Sequence, residues 1–289
     1  MTTLRGLYVP LITPFTETGA LDTASLEAHA RRMLDSGAAG LVALGTTGEP
    51  ATLTAAERAE VRTICAEICA ERHAQLIVGA GGNATAQSIS DIAALSPSVS
   101  AVLAVVPYYT RPSEEGVIAH FENLATASEF PLIVYHVPHR TGLTLSGTTL
   151  RTIAEIPNVV GFKHAVGGID NATVELMAAQ TSAQVLSGDD RFIAPLLALG
   201  AQGAIAAVAN LAPATYATMI NAWLTGDFAT GRALHHQLDP LAKAAFAEPN
   251  PTVIKAVLAA RNEIATPHVR LPLLPASAEA ARTARLAIK

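Results

Sequence analysis

The residues able to do chemistry share one kind of position: each follows a short apolar run. Lys163 follows Val159-Val160-Gly161-Phe162, and Tyr135 closes Leu132-Ile133-Val134. Thr46 and Thr47 come after Gly40–Leu44, Tyr108 and Tyr109 after Ala101–Val106, and Gly188-Asp189-Asp190 after Gln184–Leu186. A lysine is costly to bury unless it is paired or deprotonated. Lys163 is therefore either a strand-end lysine reaching into water or a desolvated amine that forms a Schiff base with a carbonyl substrate. The second role needs a proton shuttle for carbinolamine formation and dehydration. A tyrosine hydroxyl connected to further hydroxyls can supply it, and Tyr135, Thr46 and Tyr109 offer such a chain. A 2-oxo acid also needs its carboxylate held. Thr47, with backbone N–H groups of the glycine-bracketed turn Gly45–Gly48, can do that. Arg140 offers a two-pronged grip on a second carboxylate.

The elements that must position these groups alternate along the chain. Apolar runs of strand length occur at Gly6–Ile12, Gly40–Leu44, Gln75–Ala80, Ala101–Val106, Pro131–Tyr135, Val159–Phe162, Gln184–Leu186 and Ala204–Ala206. Helical patterns fall between them, at Asp22–Ser36, Thr54–Arg72, Asn83–Leu95, Glu114–Ser128, Leu145–Ile156, Asn171–Gln180 and Asp190–Leu199. Thr54 and Glu57 have capping-box spacing, and Asn83 is placed to cap its helix. His136–Gly142 reads as a proline- and glycine-punctuated loop. Strands apolar on both sides and joined by helices predict a parallel sheet covered on its faces. The pattern predicts an eight-stranded α/β barrel over residues 1–212. Residues 213–289 add helices, at Ala214–Leu224, Thr230–Ala247 and Thr252–Asn262, with a last one after Pro275. A doubly wound open sheet would carry a phosphate-binding glycine pattern after an early strand, which Gly79-x-Gly81-Gly82 does not match. In a barrel the strand C-termini form one rim, which gathers the residues named above.

Composition narrows the function. The chain has 289 residues, 50% hydrophobic, with a formal net charge of -5, and no basic run that would favour nucleic acid. No stretch has the apolar length of a membrane span, and the N-terminal residues lack the blocks of a signal peptide. Cys65 and Cys69, at i,i+4 in a helix, fit core packing in a reducing compartment. The histidines show no H-x-x-x-H pair, and His235-His236 are adjacent, so no metal centre is expected. His29 and His120 read as ordinary helix residues. Asp189-Asp190 fit a helix cap better than a cation site.

Taken in order, Gly45-Thr-Thr-Gly-Glu49, Pro107-Tyr-Tyr109 with Arg111-Pro112, Tyr135-x-x-Pro138-x-Arg-Thr-Gly142, Gly161-x-Lys163, Ser187-Gly-Asp189 and Glu248-Pro-Asn-Pro251 resemble the dihydrodipicolinate synthase and N-acetylneuraminate lyase family. The resemblance covers nearly the whole length. It implies a (β/α)8 barrel, no cofactor, and a tetramer built as a dimer of tight dimers. It implies that Lys163 forms an imine with pyruvate and that Tyr135 is the acid–base group over it. Thr46 and Tyr109 would complete a proton relay, with Tyr109 reaching into the neighbouring subunit's site. Thr47 would bind the pyruvate carboxylate, Arg140 the carboxylate of the aldehyde, Gly188 would give backbone contacts, and Ile205 would line the pyruvate side. The double threonine, the tyrosine pair and Arg140 resemble the synthase branch. That branch condenses pyruvate with L-aspartate-4-semialdehyde to 4-hydroxy-tetrahydrodipicolinate, on the cytoplasmic route to lysine and diaminopimelate. The alternative is another class I pyruvate-dependent aldolase or dehydratase acting on a 2-oxo acid or sugar-acid-like substrate. His136, His139 and His164 depart from the synthase pattern and are candidates for a changed aldehyde specificity. Gln87 stands where lysine-sensitive relatives carry a glutamate, which implies weak or absent inhibition by lysine.

Overall fold

The computed structural model describes residues 3–179 and 181–288. Its strands are β1 Gly6–Pro10, β2 Gly40–Ala43, β3 Gln75–Gly79, β4 Ala101–Val105, β5 Leu132–His136, β6 Val159–His164, β7 Gln184–Ser187 and β8 Gly203–Ile205. They hydrogen-bond in chain order into a closed barrel, and the paired strands run parallel. The expected barrel is the observed one. Its strands are buried along nearly their whole lengths, β2 and β5 at every residue, as a sheet with side chains packed on both faces requires. No described helix is long and apolar enough to cross a membrane.

The helices follow from local chemistry. Thr54 forms a full capping box with Glu57 ahead of Ala55–Glu71. Asp22, Ser113, Ser146 and Asp170 each accept a backbone N–H at the start of the helix they precede, so donors that the helix leaves without partners are satisfied. Helices also form at Pro213–Thr225, Phe228–Ala245, Thr252–Ala260 and Ala278–Leu286.

Several local expectations are corrected. Asn83 is not a helix cap. Ala84 precedes the helix Thr85–Ala93, and the Asn83 carboxamide oxygen accepts the backbone N–H of Tyr108 at 2.8 Å. The segment after β5 contains one helical turn, Pro138–Thr141, started by a proline whose missing N–H costs nothing there. The expected helix at 190–199 divides into a tight 3-10 turn, Asp190–Phe192, and the helix Ile193–Ala198. Pro195 thereby falls in a first turn, where its ring is tolerated. Asp189 accepts from the Arg191 N–H at 3.1 Å, the capping role expected of it. Gln180, the expected end of the helix Asn171–Ala178, lies outside the described residues.

By density of internal packing the chain forms two compact units. One is Met1–Arg5 with Ile77–Ile205, and the other is Gly6–Leu76 with Ala206–Lys289. The second unit holds a buried polar anchor. His29 meets the Asn210 carboxamide oxygen at 2.7 Å, and that side chain's nitrogen donates to the carbonyls of Pro10 and Ala207.

Candidate active site

In the first unit, β5 and β6 pair in parallel with Tyr135 opposite Lys163 and His136 opposite His164. Side chains alternate across a strand, and residues in register point to the same face. Tyr135 and Lys163 therefore share one face, and the two histidines share the other. The Lys163 amine lies 4.1 Å from the centroid of the Tyr135 ring. Lys163 is 5% exposed. Among the described residues it has no carboxylate partner and no hydrogen bond from its amine.

One glycine makes room for this lysine, and a second lets its strand pack closely. A Cβ on Gly188, at the end of β7, would stand 2.8 Å from the Lys163 Cγ and 2.9 Å from the Ala165 Cβ. The Gly188 N–H is tied to the His164 carbonyl at 2.7 Å, so that close approach is fixed by backbone. A Cβ on Gly161 would stand 2.5 Å from the Gln184 carbonyl oxygen and 3.0 Å from the Leu4 Cδ1. These contacts account for the glycine two residues before the lysine.

His136 and His164 lie on the strand face opposite that of Tyr135 and Lys163. His136 and His164 are buried, with ring centroids 5.5 Å apart. His164 Nε2 meets the Thr173 hydroxyl at 2.8 Å, and that hydroxyl lies 2.7 Å from Asp170 Oδ1. Thr173 and Asp170 belong to the helix Asn171–Ala178 and its cap. Because the threonine hydrogen goes to the carboxylate, its oxygen accepts, and His164 carries its proton on Nε2. Nδ1 of both histidines is buried without a hydrogen-bond partner among the described residues. Burial, with His164 adding to it, pulls His136 down to about 3. Burial pulls His164 down to about 4, so both rings are neutral at physiological pH. Strand alternation turns them toward the covering helix and away from the lysine. His139 and Arg140 sit exposed on the turn after β5. His139 is lowered by burial and then by the Arg140 charge.

Tyr109 is 87% exposed and stands at φ 64°, a left-handed conformation rarely taken by non-glycine residues. Ile205, the last residue of β8, is buried.

In the second unit, Thr46 and Thr47 form the tight turn Thr46–Gly48, two residues beyond β2, with Thr47 only 2% exposed. Three ties hold this turn. Thr13 donates to the Gly48 carbonyl at 2.7 Å. The Asn250 amide donates to the Thr47 hydroxyl oxygen at 3.0 Å. Glu49 accepts from the Lys255 amine at 2.5 Å and from the Arg270 N–H at 3.0 Å. Lys255 is fully buried, also donates to the His268 carbonyl at 2.9 Å, and lies 4.1 Å over the Phe15 ring. Burial lowers it to about 8 against the opposing pull of Glu49.

Glu49, Asn250 and Lys255 carried no assigned role in the sequence reading. The signal for Lys255 was a lone charge in the apolar run Thr252-Val-Ile-Lys-Ala-Val-Leu. Asn250 lay inside a quoted motif whose purpose was not visible. Among the described residues no three His, Cys, Asp or Glu side chains gather as metal ligands do.

A parallel barrel that buries a lysine, unpaired among the described residues, against a tyrosine at the C-terminal end of a strand has the build of an enzyme working through a lysine amine. The chain matches the model of the dihydrodipicolinate synthetase family over residues 3–289, and it belongs to that family. It is 38% identical over 287 residues to the 4-hydroxy-tetrahydrodipicolinate synthase of Neisseria meningitidis serogroup B, covering 99% of this chain and 98% of that one. The synthase of Methanothrix thermoacetophila is 38% identical over 95% of this chain and 92% of its own. The solved dihydrodipicolinate synthase from Thermotoga maritima superposes with a TM-score of 0.94 at 35% identity, covering 98% of this chain and 97% of that one. The 4-hydroxy-tetrahydrodipicolinate synthase from Methylacidiphilum fumariolicum SolV gives 0.93 at 32%, covering 99% and 95%.

Proposed function

We propose that this chain condenses pyruvate with L-aspartate-4-semialdehyde to give 4-hydroxy-tetrahydrodipicolinate and water. The observation that carries the mechanism is the contrast between two buried lysines. Lys255 has Glu49 for a counter-ion, whereas Lys163 is buried with none among the described residues, an arrangement costly for a structural role alone.

The Lys163 amine attacks the C2 carbonyl of pyruvate, and the carbinolamine loses water to form the imine. Thr47 holds the pyruvate carboxylate, and Ile205 lines the pyruvate side. Tyr135 gives and takes protons at these steps, relayed through Thr46 and through Tyr109 of a second subunit. Loss of a methyl proton yields an enamine, whose carbon bonds to the aldehyde carbon while the aldehyde oxygen takes a proton. Arg140 receives the carboxylate of the aldehyde. The amino group of the second substrate then attacks the imine carbon, closes the ring and expels the Lys163 amine for the next turnover.

The exposure of Tyr109 supports a role outside its own chain, in a homotetramer built as a dimer of dimers and working in the cytoplasm. His139, exposed beside Arg140, remains a candidate contact on the aldehyde side.

Borohydride reduction in the presence of pyruvate tests the mechanism. A mass gain of one reduced pyruvate, lost in Lys163→Ala, is expected, and absence of the adduct would end the proposal. Coupled rates compare aspartate semialdehyde with hydroxylated aldehydes. Preference for the latter would reassign the acceptor while leaving the imine chemistry standing.

A further inference from the structure

Asn250 lies 203 residues beyond Thr47, in the segment Glu248-Pro-Asn-Pro251, and is buried. Its side chain does not cap the helix that follows. That start is organised by the Pro249 carbonyl, which accepts from the Thr252 N–H at 3.0 Å and the Thr252 hydroxyl at 2.8 Å. The Asn250 carboxamide oxygen is buried with no hydrogen-bond partner among the described residues. The work of this side chain is its N–H bond to the Thr47 hydroxyl oxygen.

A hydroxyl has one hydrogen and two lone pairs. An N–H that occupies a lone pair leaves the hydroxyl hydrogen for another acceptor. Thr13, Lys255 and Arg270 already fix the backbone and carboxylate of the turn, so the Thr47 hydroxyl rotor is the freedom left to settle. We propose that Asn250 is a positioning residue, which fixes the Thr47 hydroxyl as a hydrogen-bond donor to the substrate's carboxylate. The inference rests on the reading of Thr47 as the carboxylate ligand. Were the amide turned over, its oxygen would take the Thr47 hydrogen and leave lone pairs facing an anion. Asn250→Asp, nearly the same shape, reproduces that arrangement and adds a negative charge.

The test uses the full-length enzyme and four variants: Thr47→Val, Asn250→Asp, Asn250→Ala and Thr47→Val with Asn250→Ala. Pyruvate KM, kcat and thermal midpoint are measured for each. Loss of a hydrogen bond to a charged group predicts a rise in pyruvate KM of about tenfold or more for each single variant. The effect of Asn250→Asp is expected to be the larger of the two Asn250 substitutions, and its thermal midpoint to stay close to that of the parent. In the Thr47→Val background, Asn250→Ala adds less than about twofold, because the two residues act through one bond. An unchanged KM in Thr47→Val would defeat the reading of Thr47 and the inference with it. A raised KM in Thr47→Val, with normal pyruvate KM in Asn250→Asp or independent effects in the double variant, would overturn the role of Asn250 alone. If Asn250→Ala does not fold, Asn250→Asp decides.

Discussion

Gly188 and Lys163 are in contact where no side chain larger than hydrogen fits: an added Cβ would meet the lysine at Cγ, 2.8 Å away, and at Cε, 3.1 Å away. The lysine stem is thereby clamped between the end of β7 and the Tyr135 ring. Gly188→Ala is expected to displace the amine and to lower kcat/KM by about tenfold to a hundredfold, the scale of an ångström-sized misplacement. Borohydride trapping with pyruvate should slow in parallel. Parental trapping rates in this variant would show that the clamp has no bearing on the amine.

Acid should weaken the fold through its buried histidines. Burial holds His29 at about 4 despite its bond to Asn210, and His136 and His164 at about 3 and about 4. The ordinary value is near 6.5, so below it the unfolded chain binds protons that the folded chain refuses. Their contribution is complete above pH 6.5 and is lost as pH falls from there toward 4, at about 1.4 kcal/mol per pH unit for a single site such as His29. Denaturant midpoints measured between pH 7.5 and 5 should fall, and the slope should lessen in His136→Leu. Midpoints flat across that range would contradict the buried, neutral assignment.

Lys255→Met leaves the Glu49 carboxylate buried without its cation and should cost about 3–5 kcal/mol in stability. Lys255→Met with Glu49→Gln should recover part of that loss, because no uncompensated charge remains. Denaturant unfolding of the parent and the two variants checks this, and equal losses in single and double variants would refute the pairing.

Arg140→Ala should raise KM for the aldehyde by about tenfold or more, the worth of a charge-assisted grip. Trapping with pyruvate should stay normal. A defect in trapping would move Arg140 to the pyruvate half-reaction.

Lysine should inhibit weakly. The Gln87 amide donates to Asp91 at 2.9 Å and offers no charge to an ammonium group. A lysine titration with half-inhibition at micromolar or low millimolar concentration would contradict this.

The barrel was legible because every strand is an apolar run and every crossover a helix, a pattern that survives without knowledge of any contact. Lys163 and Tyr135 were legible as strand-end residues. Their shared face was not, because it depends on register: Tyr135 opposite Lys163 puts His136 opposite His164 on the far side. His136 and His164 drew attention because they depart from the synthase pattern, and strand alternation puts them on the opposite face from the amine. Glu49, Asn250 and Lys255 escaped notice for a different reason. Their roles lie in bonds that span more than 200 residues, and no local pattern announces such partners.

Those long bonds also bear on how the molecule comes into being. The turn at Thr46–Gly48 is made early in synthesis, yet Asn250 and Lys255, which secure it, emerge from the ribosome some 200 residues later. At about 5–20 residues per second, the turn waits roughly ten seconds or more for its ties. Closing so large a loop is entropically late as well. A nascent chain can assemble its lysine strand well before the turn proposed to hold the carboxylate is secured. On the proposed mechanism, competence to turn over substrate comes with the C-terminal helices, and a polypeptide cut short before them would carry the lysine without the ties of the Thr46–Gly48 turn.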